Sequence, residues 1–215
     1  MITVWGRRSS SNVQAVLWCL AELEVPYRRI DAGFTYGVVD TADYLAMNPN
    51  GKVPTIRDGT APPLFESGAI LRYLASRYAR DDAFWPAAPE RRAQVDQWAE
   101  WAKVNVAAAF TVPVFWQAVR VPEARRDPRA IAAAVRRLDA LLAIAETRLA
   151  AAPFLADEAF TLADIQLGHL LHRYFDLQIE RAELPCLRRY HARLAGRAAY
   201  REHVMVSYAE LVDSM

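Results

Sequence analysis

Residues 48–74 read NPNGKVPTIRDGTAPPLFESGAILRYL, and this stretch decides the fold. Asn48-Pro49-Asn50-Gly51 is a strong turn signal. Val53 to Arg57 reads as a short strand. Asp58-Gly59 signals a hairpin, lengthened by Thr60-Ala61-Pro62, and Pro63 to Phe65 supplies the antiparallel partner. Ser67 is a good N-cap, and Ile70, Tyr73, Leu74 and Tyr78 then fall on one stripe of a helix.

Upstream, strand and helix signals alternate. Ile2 to Trp5 is a short apolar strand, and Gly6 to Ser11 a polar loop. Val13, Val16, Leu17 and Leu20 recur at helical spacing, which predicts an amphipathic helix over about 12–24. Pro26 blocks its continuation. Tyr27 to Asp31 is a second strand, parallel to the first because a helix joins them. A short helix fits Asp43 to Met47. The order is β-α-β-α-β-β-α over residues 1–80.

Downstream the character changes. Residues 81–90, within Ala79-Arg-Asp-Asp-Ala-Phe-Trp-Pro-Ala-Ala-Pro-Glu90, carry breakers and charge and read as a linker. Residues 91–215 are rich in alanine, leucine and arginine, with helices expected at about 90–119, 129–150, 162–178, 186–195 and 198–210. The fold class is thus α/β plus an all-α bundle. Thr161-Leu162-Ala163-Asp164 has the form of a capping box at a helix start.

The 215 residues are 53% hydrophobic and 24% charged, an ordinary globular mix, with a net charge of +1. No global field favours nucleic acid or an acidic membrane. Apolar stretches are broken by charge before membrane-spanning length. The first residues, Met-Ile-Thr-Val-Trp-Gly-Arg-Arg, lack the pattern of a secretory leader. Cys19 and Cys186 form no C-x-x-C, which fits a reduced, cytoplasmic setting. His169 and His172 are three apart on a helix but have no second ligand pair, so no metal is expected.

These motifs, in this order, resemble the soluble glutathione S-transferases. Asn48 to Pro54 looks like the family's NPxGxVP loop. Leu64 to Leu74 looks like its L-x-E-S-x-A-I-x-x-Y-L stretch, and Phe160 to Asp164 like the capping-box stretch of its helical domain. Gly6-Arg7-Arg8-Ser9-Ser10-Ser11-Asn12-Val13 is similar to a bacterial branch with GRxxSxNV. The resemblance covers nearly the whole chain. It implies a thioredoxin-like N-terminal domain, glutathione as co-substrate and a homodimer in which each N-terminal domain faces the partner's helical domain.

The resemblance also implies site residues. Pro54 is expected to be cis, with the Val53 N–H and C=O pairing with the cysteinyl part of glutathione by strand addition. Ser67 and the free amides of its helix suit the γ-glutamyl carboxylate, and Glu66 the ligand's ammonium group. Lys52 could reach the glycyl carboxylate. Free thiols have a pKa of about 8.5, and lowering that by ~2 units takes about 2.7 kcal/mol. Ser10 is the expected thiol donor, with Ser11 and Asn12 behind it, although Ser11 or Asn12 serves equally well as a plain helix cap. The electrophile is expected between the domains, near Arg7, Phe34, Tyr36, Trp101, Asn105, Trp116 and Arg120. Arg7 and Arg120 would suit an anionic substrate or leaving group. Trp98 and Trp101 fit core packing as well as a pocket. The expected reaction is thiolate attack on a small electrophilic carbon, halogenated carbons included. Glutathione-dependent dehalogenation, isomerisation or peroxide reduction are variants, and a non-catalytic binding or scaffold protein is the alternative from another class.

Overall fold

A computed structural model describes all residues 1–215. Its elements are β1 (Ile2–Trp5), α1 (Ser11–Glu22), β2 (Tyr27–Ile30), α2 (Ala42–Met47), β3 (Thr55–Asp58), β4 (Leu64–Phe65) and α3 (Ser67–Tyr78), followed by helices only. The sheet order is β2-β1-β3-β4. β1 runs parallel to β2 and antiparallel to β3, and β3 pairs antiparallel with β4. The parallel pair follows from the helical crossover, and the antiparallel pair from the Asp58–Pro63 hairpin.

In α1 the stripe of Val13, Val16, Leu17 and Leu20 is fully or almost fully buried. The neighbouring positions Gln14, Ala15, Trp18 and Cys19 are buried as well. This helix is therefore enclosed on both sides, by the sheet and α3 on one and by the helical bundle on the other. A helix apolar around its circumference is what such a position requires.

The helical half begins with α4 (Pro89–Trp101). It continues through a π-helical segment, Ala102–Ala107, a short α5 (Ala108–Phe110) and a second π-helical segment, Thr111–Arg120. A single regular helix over 90–119 was the expectation. Apolar spacing does not reveal π turns, because they keep the chain helical while shifting the phase of the residues beyond them. Next come α6 (Pro128–Ala151), α7 (Leu162–Asp176), α8 (Pro185–Ala195) and α9 (Ala198–His203). The helix expected over 198–210 stops at His203, and only one 3-10 turn, Ala209–Leu211, comes after it.

The capping box at Thr161 and Asp164 is formed. The buried Asp164 carboxylate also accepts from the Leu155 N–H at 2.9 Å and the Tyr190 hydroxyl at 2.7 Å. It thus joins the start of α7 to the preceding loop and to α8.

The two halves share one apolar core. At its centre Trp18 of α1 meets Tyr200 of α9 edge-to-face, with ring centroids 4.7 Å apart. α7 closes on Trp18 at Gly168. A Cβ there would stand 2.7 Å from Leu194 Cδ1 and 2.8 Å from Trp18 Cη2. Polar clamps surround this core. Arg197 donates to both carboxylate oxygens of Glu22, at 2.7 and 2.6 Å, and stacks over Phe160 at 3.9 Å. Arg72 of α3 bridges Asp96 and Glu100 of α4.

Candidate active site

The β1–α1 loop, the turn before β3 and the second π-helical segment enclose a cleft of about 370 Å³, within the usual size for a small-ligand site. Its walls bring together Arg7, the run Ser9 to Asn12, Phe34, Lys52, Val53, Trp116 and Arg120. These residues are scattered over more than half the chain. The fold collects them because α1 points its N-terminus at the loop that carries Val53.

The Val53–Pro54 bond is cis. The turn before it is braced from behind. Asn48 is buried, and its Nδ2 donates to the Lys52 carbonyl at 2.8 Å and to Thr55 Oγ1 at 3.1 Å. The Tyr44 hydroxyl donates to the same carbonyl at 2.8 Å. The N–H and C=O of Val53 take no backbone hydrogen bond, so one strand-like donor–acceptor pair is left free on the cleft wall. Burial pushes the Tyr44 hydroxyl's pKa up, which keeps it a neutral donor.

The four polar residues at the start of α1 have separate placements. Ser10 is the N-cap residue. Its N–H donates to the Arg7 carbonyl at 3.2 Å, and its carbonyl accepts from Gln14 at 2.9 Å. The Ser10 hydroxyl makes no capping bond, and Ser10 lines the cleft. Ser11 is the first residue of the helix. Asn12 is committed elsewhere, its Oδ1 accepting from Ser67 Oγ at 3.1 Å and from Lys103 Nζ at 3.3 Å. Ser9 is buried, and its hydroxyl donates to the Glu210 carboxylate.

Glu66 and Ser67 stand beyond Asn12. Glu66 holds φ 67° and ψ 112°, a sparsely populated backbone region that costs a non-glycine residue about 1–3 kcal/mol and is found disproportionately at ligand sites. Ser67 is buried at the start of α3. Its hydroxyl accepts from Lys103 Nζ at 2.8 Å. Burial lowers the pKa of Lys103, while Glu66 and Glu100 pull it back up. The ammonium group therefore takes neutral hydrogen-bond partners at the N-terminus of a helix, a setting that suits an anion.

On the opposite wall, two guanidinium groups lie against the Phe34 ring, with Arg7 at 5.4 Å and Arg120 at 5.6 Å from its centroid. Arg120 also stacks on Trp116 at 4.6 Å. Arg173 of α7 reaches the floor and donates to the Ser9 carbonyl at 2.5 Å. Its burial lowers its pKa to about 10, so it stays charged at neutral pH. The segment after Tyr208 closes the back. Leu211 joins the lining, and the amides of Asp213 and Met215 donate to the carbonyls of Val119 and Arg120, both at 3.0 Å. Those carbonyls are left open by the end of the helix.

Tyr36 is 45% exposed, stands at the rim outside the cleft lining, and has its hydroxyl 3.5 Å from Glu210. Trp98 and Trp101 pack edge-to-face on each other at 5.3 Å against the core and do not line the cleft, and Asn105 is exposed outside it. Arg173 and Leu211 line the cleft, and Lys103 and Glu210 bond to residues that line it, at Asn12 and Ser9; none of the four was singled out from the sequence. For Arg173 there was a signal, a lone basic residue in an apolar helix that proves buried on nearly every face. For Lys103 there was none, because a π turn aims it. His169 and His172 meet no metal geometry, and no group of three or more His, Cys, Asp or Glu side chains is placed to hold an ion. No helix is long and apolar enough to cross a membrane.

Comparison with known proteins identifies the architecture. Residues 1–76 match the family profile "Glutathione S-transferase, N-terminal domain", and residues 105–198 match "Glutathione S-transferase, C-terminal domain". Glutathione S-transferase GstB of Escherichia coli K12 is 39% identical over 207 residues, covering 96% of this chain and 99% of that protein. Glutathione S-transferase 3 of Zea mays is 31% identical over 76% of this chain and 73% of its own length. A theta class glutathione S-transferase from Xanthomonas axonopodis pv. citri, solved with glutathione bound, superposes with a TM-score of 0.90. It is 46% identical, with 96% of this chain and 98% of that one covered.

Proposed function

The chain belongs to the glutathione S-transferase family, transferases with glutathione as co-substrate, and from that premise we propose how its own residues divide the work. Glutathione lies extended along Val53, exchanging two hydrogen bonds with that residue's free N–H and C=O. Its γ-glutamyl carboxylate meets Ser67, the open amides of α3 and the Lys103 ammonium. Glu66 takes the ligand's ammonium group, and Lys52 its glycyl carboxylate. Residues 1–80 hold glutathione, 81–90 link, and 91–215 supply most of the electrophile's side.

This pose carries the cysteinyl sulfur towards the N-terminus of α1. There the Ser10 hydroxyl, free of any capping duty, donates to the sulfur, and the helix dipole adds to the stabilisation of the thiolate. The carrying observation is that an unpaired backbone donor–acceptor pair at Val53 and an uncommitted hydroxyl at Ser10 line one cleft. Asn12 acts one step back by orienting Ser67 and Lys103. Once formed, the thiolate attacks an electrophilic carbon held against Phe34, Trp116, Arg7 and Arg120. The carbon–sulfur bond forms as the leaving group departs with its electron pair, and the thiol proton passes to solvent.

A homodimer and a cytoplasmic setting complete the reading. Val104 and Val112, 57% and 48% exposed on one long helix, favour a covered face there. The two free cysteines favour a reducing compartment. Retention on glutathione resin and turnover of 1-chloro-2,4-dinitrobenzene test the core of the reading. Failure to bind glutathione would sink it. Binding without turnover on a broad electrophile panel would instead favour a scaffold role. Sedimentation velocity tests the dimer.

A further inference from the structure

We propose that the electrophile side of this cleft selects substrates carrying a carboxylate, with Arg7 and Arg120 as the anion-holding pair. The inference rests on the conjugation reading and adds the substrate class.

The lining of the cleft carries charge of one sign, although the Glu210 carboxylate stands 4.0 Å from Arg7 just outside it. Arg7, Lys52, Arg120 and Arg173 line it, and no aspartate or glutamate is among the lining residues. Two of these cations have other duties. Lys52 lies on the glutathione side, next to Val53. Arg173 is almost fully buried and spends a guanidinium N–H on the Ser9 carbonyl. Arg7 and Arg120 remain.

Both of these have donors to spare. The Arg7 side chain makes no hydrogen bond, and its Nε is buried without a partner. Its closest acid is Glu210, at 4.0 Å, whose carboxylate is already engaged by the Ser9 hydroxyl. Arg120 donates its Nε to Ser214 Oγ at 3.1 Å, which fixes the side chain and leaves both terminal nitrogens open. Both guanidinium groups are held in place by the same Phe34 ring, and Arg120 by Trp116 as well. Burial, and the charge of Arg120 nearby, lower the pKa of Arg7, while Glu210 raises it. Two like charges crowded at a partly buried wall are relieved by an incoming anion.

The shape of the site narrows the class. Guanidinium groups with open edges match a planar carboxylate, which can take two parallel N–H···O bonds. Phe34 and Trp116 beside them offer flat apolar faces to the body of the substrate. Glutathione's own carboxylates have separate partners across the cleft. In the reaction, the thiolate sulfur gives its electron pair to the ring carbon that bears the halide. The carbon–sulfur bond forms, the carbon–halogen bond breaks with its pair on the halide, and the thiol proton goes to solvent. Nothing is oxidised or reduced, and the carboxylate is left unchanged.

A matched pair of electrophiles tests this. The dimeric or monomeric enzyme, as purified, is assayed with 4-chloro-3,5-dinitrobenzoate and with 1-chloro-2,4-dinitrobenzene. Each rate is divided by the uncatalysed rate with glutathione at the same pH. The expected result is a normalised kcat/KM about tenfold higher for the benzoate, carried by KM, since an unpaired polar site discriminates strongly. Arg120→Met and Arg7→Met bring the ratio towards one, and Arg120→Lys keeps part of it. Glutathione Kd, titrated on each variant, separates loss of co-substrate binding from loss of the anion site. Equal or poorer handling of the benzoate by the unmodified enzyme overturns the proposal. So does a preference that survives in both Arg→Met variants with glutathione affinity intact. No turnover of either electrophile, with glutathione bound, would overturn the conjugation reading and this inference with it.

Discussion

Lys103 Nζ lies 2.8 Å from Ser67 Oγ, so a cation from the helical half of the chain is inserted into the first turn of a helix from the sheet half. Asn12 completes the triangle from α1, at 3.3 Å from the same nitrogen. The three residues come from three elements, and the contact exists only because α1, α3 and the first π turn converge. It ties the Ser67 side of the site to the packing of the two halves.

Removing the Lys103 charge should weaken glutathione binding. Lys103→Met is expected to raise the Kd by about ten- to a hundredfold, the usual range for losing one charge-assisted contact to a carboxylate. Lys103→Arg should recover part of the loss. Isothermal titration reads both variants, with circular dichroism confirming the fold. An unchanged Kd in the methionine variant would show that the ammonium is only a structural strut.

Ser10→Ala tests the thiol donor. The pKa of the bound thiol should rise by about 1–2 units, and kcat near neutral pH should fall about ten- to a hundredfold. The thiolate's ultraviolet absorbance, followed against pH, reads the first effect directly. Glutathione Kd should move little, because the proposed pose assigns Ser10 to the sulfur and not to the carboxylates. A thiol pKa identical to that of the unmodified protein would shift the role to Ser11 or Asn12.

Gly168→Ala should destabilise the protein even though alanine is the better helix former. The added methyl would overlap Trp18 and Leu194. Overpacking of this kind costs about 1–3 kcal/mol, against roughly 1 kcal/mol gained in helix propensity. The expected outcome is a lower melting temperature by a few degrees and no change in glutathione Kd.

The protein should lose stability in mild acid. All four histidines have lowered pKa values, with burial as the leading cause. His169 is the extreme case, pushed down to about 3 from an ordinary 6.5. Its Nδ1 lies 3.1 Å from the Ile165 carbonyl, and its Nε2 is buried without a partner. Below pH 6.5 the unfolded chain takes up a proton that the folded protein refuses, so stability is complete above that pH and falls as pH drops towards 3. At about pH 5 this one residue should account for roughly 2 kcal/mol. Denaturant melts at about pH 7.5 and 5 measure the difference. In His169→Leu the loss between the two pH values should shrink by that amount. An unchanged slope would assign the acid sensitivity to the other three.

The order of elements through Tyr78 was legible in the sequence because its signals are local. Turn residues, a hairpin pair and one apolar stripe per helix are each complete within a few residues. The same holds for Val53-Pro54 and Glu66-Ser67, which belong to continuous motifs. The ends of helices were less legible. The stretch after His203 keeps helical composition but leaves the helix, because Tyr208 and Leu211 are drawn into the core and Glu210 turns to Ser9. The π turns at 102–107 and 111–120 were invisible for a related reason, since they change the phase of a helix and leave its composition alone.

The sequence by itself therefore determined the fold class, the family resemblance and the two motifs, Val53-Pro54 and Glu66-Ser67, that the proposed glutathione pose is built on. Local backbone chemistry is encoded in adjacent residues, and that sufficed. Only the tertiary structure decided which charges face the cleft. Lys103 meets Asn12 across 91 positions, Arg173 meets Ser9 across 164, and Glu210 meets Ser9 across 201. Contacts of that span depend on how three helices and a closing segment pack. No periodicity along the chain records which side chain an added residue per turn will rotate into a site.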